Sequence, residues 1–117
     1  MARALHLHGF AREATFVSDI AQLSDKDIAR ATGAAPSTVR AWLAGTRTPT
    51  GERAERLVEL SSLVERLARV IDPAYIAVWL RKPVRALDDD KPVDLIGRGD
   101  YRRVSRLISE LEEMPVT

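Results

Sequence analysis

The chain has 117 residues, 45% of them hydrophobic, and a formal net charge of +1 at pH 7. This apolar content suffices for one ordinary domain, or for two small helical units that share a core, and it excludes a chain that is disordered throughout. Because the sequence contains no cysteine, disulfides, thiolate zinc sites and a cysteine nucleophile are excluded as well.

The N-terminal region carries no targeting or membrane signal. The longest apolar run in the first 25 residues is two residues, too short for a signal peptide or a membrane span, so we expect a cytoplasmic protein with no membrane partner. Residues 1–12 show neither a helical nor a strand period and are predicted to form a loosely held arm. From Glu13 to Leu23 apolar residues recur at helical spacing, which predicts a short amphipathic first helix.

The second helix has a clear start and a clear end. Ser24 and Asp27 form a variant of the capping box, which predicts a helix that runs to about Thr32. Gly33 is placed to end it. Ala29 supplies the small residue that lets two helices meet steeply through a short turn.

A third helix is predicted over residues 36–43, because proline is favoured at the first helical position and Gly45 lies just past the end. Two helices joined through so short a turn are typical of a helix-turn-helix. The joint pattern resembles the Xre/Cro-like helix-turn-helix family over residues 13 to about 50, and the positions that carry it are Ile28, Ala29, Gly33, Thr38, Val39 and Trp42. The open alternative is an ordinary antiparallel pair of helices that contacts no DNA.

The third helix supplies the candidate DNA contacts, which are Ser37, Thr38, Arg40, Ala41 and Arg47. Arg40 is predicted to contact a base edge, because arginine can donate two hydrogen bonds to guanine. The two hydroxyl residues and Arg47 are predicted to hold phosphates, whereas Trp42 is expected in the core. Residues 36–50 contain two arginines and no acid. Because so few contacts release few counterions, operator binding should need a homodimer or a larger assembly.

The remainder predicts further helices and no strand. An apolar stripe over residues 57–71 predicts the longest helix, and a helix with Asp72 as its cap and Pro73 at its first position follows through Leu80. Residues 82–99 are predicted to be a folded connection with two single helical turns, and residues 100–113 form the last helix. No stretch alternates with period two. The predicted fold class is therefore all-α: an N-terminal helix-turn-helix, residues 13–51, followed by a long helix and a small C-terminal helical domain.

The segment WLRKPVRALDDDKPVDLIGRGDYRRVSRLI, residues 79–108, resembles the toxin-binding domain of the MbcA/ParS/Xre antitoxins. With that domain taken as residues 52–117, the two resemblances together cover nearly the whole chain. The matching positions are Trp79, Pro83, Leu87, Pro92, Asp94, Leu95, Ile96, Gly99, Tyr101 and Val104, and the matching C-terminal tail is Met114, Pro115, Val116 and Thr117. For Leu95, Ile96 and Val104 we expect a place in the chain's own core, as apolar residues at helical spacing usually have.

This resemblance implies the antitoxin of a type II toxin–antitoxin system, which neutralises a toxin and represses its own operon. The implied protein partner is a RES-domain toxin that degrades NAD. The antitoxin would cover the entrance to the NAD pocket and place its tail in or against it. Glu112 and Glu113 lead into this tail and either meet arginines of the pocket or are simply solvated. The alternative is a stand-alone helix-turn-helix transcriptional regulator whose C-terminal half only dimerises.

No constellation of residues indicates an enzyme, a metal site or a cofactor site. His6 and His8 lack a third ligand. The run Asp88–Asp90 lacks the ligand spacing of a calcium loop. Gly97 and Gly99 follow no strand and are predicted to end a helix. Because no carboxylate sits with a nucleophile, we expect a non-enzymatic protein without metal or cofactor.

Overall fold

The computed structural model describes the backbone of residues 9–115 and the side chains of residues 13–115. Within these residues the chain forms seven α-helices and two single-turn 3-10 helices, without a strand, which confirms the all-α prediction. The α-helices are α1 (Gly9–Ile20), α2 (Asp25–Thr32), α3 (Pro36–Ala44), α4 (Gly51–Val70), α5 (Ile76–Arg81), α6 (Pro92–Gly97) and α7 (Tyr101–Glu112). The 3-10 helices are Pro73–Tyr75 and Arg85–Leu87.

The first helix differs from the prediction at both ends. It begins at Gly9, where an arm was expected, and it ends at Ile20, before the predicted end. Of the predicted arm over residues 1–12, the first eight lie outside the described residues, and the chain is helical from Gly9 onward. The helix stops early because Gln22 adopts a left-handed backbone with φ of 55°. Leu23 then folds back and is buried although it lies outside the helix.

The ends of α2 and α3 lie where the local chemistry predicts them. The Asp27 N–H donates to Ser24 Oγ at 3.1 Å, and the Ser24 N–H donates to Asp27 Oδ2 at 3.2 Å, which completes the capping box. Gly33 ends α2 and Gly45 ends α3, with φ of 78° and 77°. Glycine suits both positions because it lacks the Cβ that disfavours this left-handed region.

One hydrophobic core joins the two halves of the chain. Helix α1 packs on α4, while α2 packs on α3, α4 and α6, and α7 packs on α4 and α6. Fully buried side chains come from both halves, among them Ile28 from α2, Leu60 from α4 and Ile96 from α6. Residues on both sides of the predicted division at residue 51 therefore share one core, in which α2 packs against helices of both halves.

Gly97, the last residue of α6, lies directly against the backbone of α2. A Cβ built at this position would overlap the carbonyl oxygen of Arg30 in α2 and would lie 3.4 Å from its carbonyl carbon. The role predicted for Gly97, that of a helix terminator, is therefore incomplete. The absence of a side chain allows α6 to rest directly on the backbone of α2.

Candidate functional site

Helix α3 turns one side to the core and the other to solvent. Val39 and Trp42 are 0% and 2% exposed, which confirms that they are core residues. Of the predicted DNA contacts, the exposed ones are Ser37, Arg40 and Arg47, and the half-buried ones are Thr38 and Ala41. All five predicted contacts thus keep solvent-accessible surface.

Arg40 is held only weakly in the free chain. Its Nη1 lies 3.5 Å from Oδ2 of Asp25, and the two side chains are 61% and 34% exposed. An exposed pair of this kind contributes about 0–1 kcal/mol and is screened by salt. A DNA phosphate or a guanine edge can therefore replace Asp25 as the partner of Arg40 at little cost.

Two ion pairs connect α2 to the C-terminal half. Arg30 Nη2 lies 2.6 Å from Oδ1 of Asp94 in α6. The Nε of Arg81 in α5 lies 3.7 Å from Oδ1 of the buried Asp27. Asp94 was predicted as a toxin contact, and one of its carboxylate oxygens is engaged within the chain. The surface near Asp94 is thereby coupled to the helix that precedes α3.

Much of the matched antitoxin pattern builds the core. Leu95, Ile96 and Val104 are 2%, 0% and 0% exposed, as expected. Leu87 and Pro92 were predicted as toxin contacts, but both side chains are buried. In this conformation they present little surface to a partner. Their burial is consistent with support of the fold, and their contact with a toxin stays a prediction.

The other matched residues between 79 and 101 keep accessible surface. Pro83 is exposed. Trp79 and Tyr101 are half-buried and pack against the core. Gly99 has φ of 87°, and a Cβ there would lie 2.6 Å from Nη2 of Arg56. The left-handed backbone and this close neighbour both favour glycine at position 99.

The C-terminal tail leaves the body of the protein after α7. The Met114 N–H still donates to the Leu111 carbonyl at 3.3 Å. The Met114 side chain is 62% exposed, and Pro115 is exposed as well. Val116 and Thr117, also predicted to contact the toxin, lie outside the described residues.

Glu112 is exposed but forms an ion pair within the chain, an arrangement that neither of the two alternatives left open by the sequence included. The guanidinium of Arg66 in α4 donates to Glu112 Oε1 from Nη2 at 2.6 Å and to Oε2 from Nε at 3.3 Å. The hydrogen bonds from Arg66, aided by the positive charges of Arg66 and Arg69, lower the pKa of Glu112 although partial desolvation opposes them. Glu113, the second carboxylate, is exposed.

Sequence reasoning missed Arg66. A signal for it exists in α7, where Ser105, Ser109 and Glu112 recur at positions i, i+4 and i+7. This spacing places three polar groups on one face of a helix, beside the apolar stripe that faces the core. A polar row in that place predicts a polar partner on the neighbouring helix, but not which residue supplies it.

The environment of Glu59 in α4 shifts its pKa in the opposite direction to that of Glu112. Its Oε1 is buried and accepts no hydrogen bond, although it lies 3.5 Å from Nη1 of Arg56. Burial raises the pKa of Glu59, and the positive charge of Arg56 only partly offsets this. Together with Pro49 and Val58, Glu59 lines a shallow groove at the start of α4.

The described residues hold no group of three or more histidine or acidic side chains placed to bind a metal ion. His6 and His8, for which no metal site was predicted, lie outside that part of the chain. Nor does any helix of the described region have the length and apolar character needed to cross a membrane.

Comparison with known proteins agrees with this arrangement of helices. The chain is 34% identical over 91 residues to the mycobacterial cidal antitoxin MbcA of Mycobacterium tuberculosis and of Mycobacterium bovis, which covers 78% of this chain and 80% of MbcA. It is 35% identical over 78 residues to a probable mycobacterial cidal antitoxin of M. tuberculosis, over 67% of this chain and 66% of that protein. No family model matches the chain.

A solved structure supports the same relationship. The chain superposes with a TM-score of 0.78 and 31% identity on a chain of the crystal structure of the M. tuberculosis MbcT–MbcA toxin–antitoxin complex, over 91% of this chain and 96% of the other. The fold and the similarities together define the class as a small all-α antitoxin. Within that class, the chain belongs to the MbcA family.

Proposed function

We propose that this protein is a non-enzymatic type II antitoxin that neutralises a RES-domain toxin, an NAD-degrading enzyme, and represses its own operon through DNA binding. The observation that carries the first part is the similarity to MbcA over 80% of its length, together with the TM-score of 0.78 to a chain of a solved toxin–antitoxin complex. The two similarities cover 78% and 91% of this chain, respectively.

The proposed toxin-facing surface consists of the accessible members of the matched pattern, namely Trp79, Pro83, Asp94, Gly99, Tyr101 and the tail Met114, Pro115, Val116 and Thr117. We propose that the tail covers the entrance to the NAD pocket. In support, Met114 and Pro115 are exposed beyond the last packed turn of α7, so their binding to a partner requires no rearrangement of the core.

Deleting residues 114–117 tests the proposed neutralisation. The toxin encoded beside this chain is expressed alone, with the full antitoxin, and with the truncated antitoxin, and growth and co-purification are measured. The full chain should restore growth and co-purify, whereas the truncated chain should not restore growth. Thermal unfolding of both forms should agree within ~0.5 kcal/mol, because the described residues of the deleted segment, Met114 and Pro115, are exposed.

The same experiment separates the antitoxin from a stand-alone regulator with a C-terminal dimerisation domain. A neighbouring protein that is harmless alone and does not co-purify with the chain would refute the antitoxin proposal. In that case the alternative function, that of a stand-alone transcriptional regulator, would be retained, and the C-terminal half should account for dimerisation.

For DNA binding, we propose that the solvent side of α3 enters the major groove and that Arg40 contacts a guanine edge. The exposure of Arg40 and its weak pairing with Asp25 support this role. Because the chain carries a net charge of only +1, we propose that operator binding uses a homodimer within a toxin–antitoxin assembly.

Promoter titrations at several salt concentrations test this second part. Arg40→Ala should weaken binding by about 1–3 kcal/mol at one operator position. Arg69→Ala is the matched control, since Arg69 is similarly exposed, at 66%, and lies on α4. Equal losses in the two variants, or affinity that does not change with salt, would contradict DNA reading by α3.

A further inference from the structure

One side chain of α4, Arg66, forms hydrogen bonds with the last two turns of α7. Its Nη1 donates to Ser105 Oγ at 2.6 Å, and its Nη2 donates to the Ser105 carbonyl at 3.1 Å and to Ser109 Oγ at 2.9 Å. The same guanidinium reaches Glu112 from Nη2 at 2.6 Å and from Nε at 3.2 Å and 3.3 Å. Arg66 thus spans two full turns of the neighbouring helix.

This contact lies where the apolar packing of α7 ends. Ile108 is fully buried, Leu111 is half-buried, and every described residue after Leu111 is exposed. Glu112 is the last described residue whose side chain forms a hydrogen bond. The core therefore holds α7 up to Leu111, and among the described residues the side-chain hydrogen bonds to the helix end beyond this point come from Arg66.

Arg66 differs from an ordinary surface arginine. Its side chain is 22% exposed and that of Glu112 is 33% exposed, whereas the nearby pair Arg69 and Glu65 is 66% and 58% exposed and lies within one helix. Isolated exposed pairs contribute little, but a partly buried guanidinium with several well-placed acceptors in a network contributes more. The geometry of these hydrogen bonds therefore favours a stable connection between α4 and α7.

The position of the first tail residues depends on the last turn of α7. The four residues Met114 to Thr117 span at most ~14 Å when fully extended. Unwinding one turn of α7 would move the start of the tail by ~5 Å, about a third of that reach. A tail with a fixed origin also loses less conformational freedom when it binds.

We propose that Arg66 is a positioning residue for toxin neutralisation: by holding the last turn of α7, it sets the point and direction from which the tail leaves the protein. This inference rests on the proposed function of the tail. Arg66 itself need not contact the toxin.

A double-mutant cycle between Arg66 and the tail tests the inference. Affinity for the purified toxin encoded beside this chain is measured for Arg66→Ala and for the unchanged chain, each with and without residues 114–117. In the full chain, Arg66→Ala should weaken binding about tenfold, within the range expected for coupled residues. In the truncated chain, it should have no effect, because the tail through which Arg66 acts is gone.

Two further variants separate positioning from folding and from charge. Arg69→Ala removes a positive charge from the same helix without removing a hydrogen bond to α7, and it should change the affinity less than twofold in both backgrounds. Glu112→Gln keeps the size of an exposed side chain and weakens its bonds to Arg66. It should lower the affinity less than Arg66→Ala does, again only when the tail is present.

The measured affinities distinguish failure of the Arg66 role from failure of the proposed function of the tail. If Arg66→Ala weakens binding equally with and without the tail, or leaves it unchanged while truncation weakens it, the positioning role is wrong and the proposed function stands. If truncation itself leaves toxin affinity unchanged, the proposed role of the tail and the inference about Arg66 are both refuted.

Discussion

Replacing Gly97 by alanine tests whether the N-terminal and C-terminal halves of the chain form one folded unit. Helix propensity alone predicts a higher free energy of unfolding, because alanine exceeds glycine in helix propensity by about 1 kcal/mol. The structure predicts instead that Gly97→Ala lowers the free energy of unfolding. A Cβ at position 97 would overlap the Arg30 carbonyl oxygen and lie 3.8 Å from the Cα of Ala31, so the obstacle is backbone and not a movable side chain.

The size of the effect follows from the separation that the new methyl group enforces. Moving α6 and α2 apart by up to ~1 Å would forfeit a quarter to a half of the dispersion energy across their contact. Overpacking against a rigid neighbour costs up to about 3 kcal/mol. After the gain in helix propensity, a net loss of about 2 kcal/mol remains, which for a chain of this size lowers the melting temperature by ~8 °C.

Thermal and urea unfolding followed by circular dichroism measure this loss. Gly45→Ala is the matched control, since Gly45 has open space around it and φ of 77°, so its replacement should cost about 1 kcal/mol through backbone strain alone. A Gly97→Ala variant that melts at or above the temperature of the unchanged protein would refute the close contact of α2 and α6, and with it the shared core.

Three further predictions follow from the fold. Trp42→Ala should lower the free energy of unfolding by about 3–5 kcal/mol, measured by urea titration, and a loss below about 1 kcal/mol would contradict its burial. Ser24→Ala should cost about 1 kcal/mol through loss of the capping box, whereas Ser62→Ala, at an exposed position of α4, should be nearly neutral. In an NMR titration the pKa of Glu112 should lie below its ordinary value and rise in Arg66→Ala, since the hydrogen bonds that lower it are removed. Because a lowered carboxyl pKa adds stability above the unfolded-state pKa and loses it as the pH falls through the folded-state pKa, the stability difference between the two proteins should shrink on acidification. An unchanged difference at low pH would contradict the pairing.

Signals within a few residues of one another predicted most of the helices. The capping box at Ser24, the proline at position 36 and the glycine at position 45 act on their own turn of backbone, and the structure has all three where the sequence places them. The start of α1 was missed because no capping residue marks Gly9. The end of α1 was missed because the apolar spacing continues to Leu23 after the backbone has left the helix.

The resemblance to antitoxins predicted the family, but it did not separate the residues that face a partner from those that support the fold. Leu87 and Pro92 match the pattern as well as Pro83 does, yet two are buried and one is exposed. Spacing along one helix cannot make this distinction, because the exposure of each side chain depends on which other helix covers it.

By itself, the sequence determined the helical class, the ends of α2, α3 and α7 and the family, because these depend on interactions within one or two turns and on the order of residues along the chain. Tertiary structure alone decided that both halves share a core, that Gly97 meets the backbone of Arg30, and that Arg66 binds Glu112 from 46 residues away. Such contacts depend on how helices far apart in sequence pack against each other, and no local spacing of residues specifies that packing.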